Sequence, residues 1–70
     1  MTTEQIKEKL EYGDYGTLAR MLGLKNPAAA KMRFKRGDLQ AKEALIRIIE
    51  SREQLVESFQ DSQEATTSNQ

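Results

Sequence analysis

The segment Thr17-Leu18-Ala19-Arg20-Met21-Leu22-Gly23-Leu24-Lys25-Asn26-Pro27-Ala28-Ala29-Ala30-Lys31-Met32 decides the fold. Two helices that cross closely need a small residue at the crossing, and Ala19 supplies it. Four residues later the chain must turn through a left-handed conformation, which Gly23 provides. Leu18, Leu22, Leu24, Ala29 and Met32 place apolar side chains before and after that turn and are expected to form its interior. Asn26 is suited to cap the second helix, and Pro27 falls at its first position, where a missing N–H does no harm. The spacing predicts one helix over about 15–22 and a second over about 26–36, set at roughly a right angle.

Outward from this segment, the punctuation continues on both sides. Thr2 and Gln5 have capping-box spacing at the start of a first helix, with Ile6 and Leu10 on one stripe. Gly13 is suited to end that helix and Asp14 to cap the next. Gly16 weakens the first turn of the second helix, so that end should fray or lie close to another backbone. After Phe34, Gly37 stops the third helix and Asp38 caps a fourth. From Leu39 to about Phe59 nothing interrupts helical spacing of Leu39, Ala41, Ala44, Leu45, Ile48, Ile49, Leu55, Val56 and Phe59. The fold class expected is all-α: a small four-helix domain with a central helix-turn-helix and a long C-terminal helix. Residues 1–59 form the domain, and the polar stretch 60–70 is expected to be a disordered tail.

The formal net charge is zero, but its distribution is uneven. The 23 residues from Tyr15 to Gly37 hold Arg20, Lys25, Lys31, Arg33, Lys35 and Arg36 and no acid. From Asp38 onward, seven acids face three cations. Such a split points to one positive surface for a polyanion, against the plainer alternative of a charged solvated face.

Several functions are disfavoured by composition. The chain has no Cys and no His, so thiolate zinc sites, disulfides and the usual neutral-pH base are missing. It has no glycine-rich phosphate loop, and Ser51 and Ser58 have no base to activate them. An enzyme is not expected, and neither is a cofactor, a metal or a small-molecule substrate. No apolar run approaches the roughly 20 residues of a membrane span, and the N-terminus lacks a secretory centre, so a cytoplasmic location is expected.

The central pattern resembles the phage repressor and Cro type of helix-turn-helix, including the closing Phe34-Lys35-Arg36-Gly37. It is also similar to short proteins of phages and mobile elements in the Bacteroides group, through the Tyr12-Gly13-Asp14 and Arg33-Phe34 segments. The resemblance covers residues 12–59 and departs from the family in a longer stretch between turn glycine and aromatic and in lacking a fifth helix. It implies sequence-specific binding to double-stranded DNA and a role as a transcriptional regulator. Lys25, Asn26, Pro27, Ala30 and Lys31 would then face the major groove, where Asn can read adenine and Lys guanine. Arg33, Lys35 and Arg36, with Thr17 and Arg20, would hold phosphates.

Plainer roles stand beside these. Asn26 is better suited to capping than to reading a base, and Ala28-Ala29-Ala30 are strong helix formers. Phe34 is expected in the core, and Tyr12 and Tyr15 against the first helix. The fourth helix carries more apolar surface than three short helices can cover. Its Leu55–Phe59 end is expected to fold over Ile6 and Leu10 or to join a homodimer. Glu43–Arg47 and Arg47–Glu50 are candidate intrahelical pairs. The alternative function is a protein-interaction module that uses the same scaffold to bind a host or phage protein.

Overall fold

A computed structural model of the chain describes residues 1–68, with side-chain environments through Ser62. Four helices follow one another: α1 (Thr3–Lys9), α2 (Asp14–Leu22), α3 (Pro27–Lys35) and α4 (Leu39–Ser68), with no strand among the described residues. Among the described residues, no helix is long and apolar enough to cross a membrane.

Local chemistry sets most boundaries. Thr2 and Gln5 close the capping box of α1, Thr2 Oγ1 accepting from the Gln5 N–H and Gln5 Oε1 from the Thr2 N–H. Gly23 takes φ 71° after α2, and the next amide, Leu24 N–H, donates back to the Ala19 carbonyl at 2.8 Å. The end of α3 repeats the device: Gly37 has φ 84°, and the Asp38 N–H reaches the Arg33 carbonyl at 3.2 Å. Both ends therefore satisfy helix carbonyls that would otherwise be orphaned. Asp38 then caps α4, its Oδ1 accepting from the amides of Gln40 and Ala41.

The core is built from Ile6 of α1, Leu18 and Ala19 of α2, Ala30 and Phe34 of α3, and Ala41, Ala44, Leu45 and Ile49 of α4. α2 packs on α3, and α4 lies against all three shorter helices. Four buried alanines, Ala19, Ala30, Ala41 and Ala44, let the backbones approach, which is how so short a chain closes a core around few large side chains.

Several expectations change here. Gly13 is not the end of α1: it precedes α2 at φ 93°, and Asp14 is the first residue of that helix rather than its cap. Its carboxylate faces inward, 6% exposed, and accepts the Glu11 N–H at 2.8 Å. Tyr12 does not pack on α1 but projects fully into solvent, because the left-handed turn at Gly13 throws it outward. Met32 is half-exposed rather than interior, as α3 turns Ala30 and Phe34 to the core instead. Leu55, Val56 and Phe59 are exposed and do not fold over Ile6 and Leu10. α4 continues nine residues past Phe59, to Ser68, where a disordered tail was expected. No Gly or Pro follows Asp38, and a nucleated helix adds good formers at little cost. Residues 69–70 of that expected tail lie outside the described residues.

Candidate nucleic-acid interface

The α2–turn–α3 unit positions the basic residues. Asn26 caps α3, its Oδ1 accepting from the Ala29 N–H at 2.9 Å, and Pro27 occupies the first turn. The start of α3 lies against the start of α2: a Cβ on Gly16 would sit 3.9 Å from Pro27 Cγ. Gly16 is helical within α2 and has room for a Cβ beside this side chain, so neither the fraying nor the close backbone approach that its position suggested is present. One turn further, Lys31 Nζ lies 5.9 Å from the centre of the Tyr15 ring. A cation over an aromatic face is attracted to the ring quadrupole, and this contact spans the two helices. Tyr15 is partly buried against the core, and that burial raises its phenol above the ordinary value.

Successive residues of a helix are rotated by about 100°. With Ala30 and Phe34 buried, Ala28, Lys31, Met32 and Lys35 take the solvent side of α3. Ala28, Met32 and Lys35 are four and three residues apart, so they form one stripe, with Met32 at its middle. Arg20 on α2, Lys25 in the turn and Arg36 just beyond α3 are exposed as well. None of these five cations, Arg20, Lys25, Lys31, Lys35 and Arg36, takes part in an ion pair among the described residues.

Other expected residues are placed differently. Ala30 is fully buried and cannot face a groove; it packs where α3 meets the core. Arg33 is half-buried and bound to its own chain, with Nε 2.8 Å and Nη2 2.7 Å from Asp38 Oδ2 and Nη2 3.2 Å from Gln40 Oε1. It braces the α3–α4 corner instead of standing free for a phosphate. That contact, followed by the Ala41 amide, holds the Asp38 carboxyl below its ordinary value. Thr17 is exposed and its hydroxyl donates to the Gly13 carbonyl at 3.3 Å. Asn26 is exposed, with its side-chain oxygen committed to the cap.

The residue that sequence reasoning missed is Arg52. Its guanidinium reaches three groups of the α1–α2 corner: Asp14 Oδ1 at 2.9 Å, Glu11 Oε2 at 3.1 Å and the Lys9 carbonyl at 2.8 Å. Lys9 adds a 2.9 Å pair with Glu53. Together they fix the entry into α2, and so the helix on which α3 is seated. The available signal was a charged residue in the apolar stripe of α4, three residues after Ile49. Such a position requires a buried partner, although the sequence does not say which.

Fold and site together define a small all-α domain with four helices, whose α2–α3 turn presents an acid-free face. In comparisons with known proteins, no family model matches this chain, and neither does any curated protein or solved structure.

Proposed function

We propose that the chain binds duplex DNA through the outward face of α3, as a sequence-reading helix-turn-helix regulator. The observation that carries this reading is the exposure of Lys31, Met32 and Lys35 on one acid-free helix face, with five cations of the unit unpaired. Lys31 and Lys35 supply phosphate or guanine contacts, and the apolar Met32 and small Ala28 fit against thymine methyls. Arg20, Lys25 and Arg36 flank the groove on phosphates. Ala30 and Arg33 are left out of the contact set, the first in the core and the second tied to Asp38. A role in phage or mobile-element transcription rests on the resemblance over residues 12–59.

The test is a fluorescence-anisotropy titration of labelled random duplex at about 50 and 200 mM salt. Affinity should fall steeply between the two, and Lys31→Ala/Lys35→Ala should reduce the slope of log affinity against log salt by about 2. A folded chain that leaves the duplex unbound at the lower salt defeats the reading.

A further inference from the structure

Tyr15 opens the apolar stripe of α2, and Leu18 and Leu22 follow it at spacings of three and four. Its ring is packed against the core at the N-terminal end of α2 and is only partly open to solvent. Lys31 of α3 sends its ammonium to this ring, 5.9 Å from the centre, across the seam between the two helices. No carboxylate pairs with that ammonium among the described residues. An ammonium has three N–H donors, and those turned away from the ring stay available to an oxygen.

Lys31 is also rotated off the middle of the outward face of α3. Met32 lies at that middle, and one residue turns the helix by about 100°. A helix with its side chains is about 10–12 Å across, and the major groove is about 12 Å wide. A helix seated there fills the groove. Side chains at the middle of its outward face meet base edges, and those about 100° round meet the walls, which are phosphate. Lys31 therefore addresses a wall, on the side of α3 that faces α2. Arg33 lies about the same angle to the other side of Met32 and is taken by Asp38.

We propose that Tyr15 is a positioning residue for a phosphate clamp, its ring holding the Lys31 ammonium on the α2 flank of α3. The inference rests on the DNA reading above, and it replaces the guanine contact expected of Lys31 by a phosphate contact. A lysine held before binding loses less rotamer freedom when it meets the phosphate. The ring thus acts on affinity at every sequence and on discrimination at none.

NMR of the free full chain tests the contact by itself. The Lys31 ε-methylene protons should be displaced upfield by the ring current in the wild type and in Tyr15→Phe. They should return to the ordinary lysine position in Tyr15→Leu. Fluorescence anisotropy then tests the role, on a duplex selected by the wild-type chain and on its single-base variants, at about 50 and 200 mM salt. Lys31→Met should weaken all of them by one factor and lower the slope of log affinity against log salt by about 1. Tyr15→Leu should weaken all of them about two- to fivefold, the range of an exposed cation–π contact, with the slope unchanged. Tyr15→Phe keeps the ring and should bind as the wild type does. Tyr15→Leu/Lys31→Met should bind as Lys31→Met alone, since the ring then has nothing to position. Circular dichroism checks that each variant keeps its helices, and Tyr15→Met replaces Tyr15→Leu if that variant loses them.

A Tyr15→Leu loss that persists in full beside Lys31→Met would make Tyr15 a structural residue and overturn the proposal. A loss shared by Tyr15→Phe would assign the effect to the hydroxyl and overturn it as well. So would a Lys31→Met loss confined to one base pair, or an unshifted Lys31 methylene in the wild type. If the shift is present and no duplex binds, the Tyr15–Lys31 contact stands, and the DNA reading falls with the clamp.

Discussion

Arg52 and Asp14 lie 38 residues apart in sequence, yet Arg52 Nη1 is 2.9 Å from Asp14 Oδ1. Asp14 is nearly buried, so its charge is satisfied by this guanidinium and by the Glu11 amide. Removing Arg52 would leave a desolvated carboxylate at the foot of α2 and an unpaired Lys9 carbonyl. Arg52→Met should destabilise the chain by about 1.5–3 kcal/mol, the range for hydrogen bonds to charged groups. Asp14→Asn should also destabilise, since its single amide oxygen can accept from either Arg52 or the Glu11 N–H and its NH2 then faces the other donor. Urea unfolding of the two single variants and the double variant would show coupling, the second substitution costing less once the first is made. Additive losses would mean that the clasp contributes nothing as a pair.

Asn26 separates capping from base reading. Asn26→Ser preserves an N-cap oxygen, whereas Asn26→Ala removes it and should cost about 1 kcal/mol. If the side chain only caps, Asn26→Ser should bind a selected DNA site as the wild type does. A preserved stability with a specific loss of adenine preference at one position would instead return Asn26 to the reading set.

Gly16 within α2 and Gly23 just after it should respond in opposite directions to alanine. Gly16 lies within the helix, and an added Cβ would meet Pro27 at ordinary contact distance. Gly16→Ala should stabilise by about 0.4–1 kcal/mol through the unfolded chain and helix propensity. Gly23 sits at φ 71°, so Gly23→Ala should destabilise by about 1–2 kcal/mol. Thermal melts of both variants check this. A stabilising Gly23→Ala would mean that the α2–α3 turn is not left-handed.

Asp38 gives the chain an acid limb. Its carboxyl is held below the ordinary value of 3.8, first by the Arg33 hydrogen bond and then by the α4 amides. The ionised form therefore favours folding. That contribution is complete above the ordinary value and is lost as pH falls through the lowered one. Asp38→Asn should be less stable at neutral pH and flatter in stability below about pH 4. Asp38→Ser keeps a capping oxygen and should show the same flattening. An unchanged acid limb in both would assign the acid sensitivity to other carboxylates.

The helix ends were legible because each is decided within a few residues. Thr2 with Gln5, Gly23, Asn26 with Pro27, and Gly37 with Asp38 carry their own hydrogen-bonding logic, and the structure places each at a helix end as expected. Asp14 shows the limit of this reasoning. Its residue type suits a cap, but Gly13 takes the turn, and the inward carboxylate answers a distant arginine. The base-facing residues were only partly legible. Lys31 is exposed as expected, while Ala30 and Met32 exchange places, the first inside and the second outside. In α3, apolar side chains at 28, 29, 30, 32 and 34 surround the helix almost evenly, so the sequence offers no single stripe to choose.

What the amino-acid order determined by itself was the number of helices, most of their caps, and the concentration of cations in an acid-free middle. These follow from backbone conformations and charges that act over one or two turns. Only the tertiary structure decided which face of α3 looks outward, that Arg33 serves the α3–α4 corner, and that Arg52 closes the α1–α2 corner. A rotation of about 100° per residue makes positions two apart on a helix, such as Ala30 and Met32, nearly opposite. The choice between them is made by the partner helix that buries one of them, and the local sequence does not contain that partner.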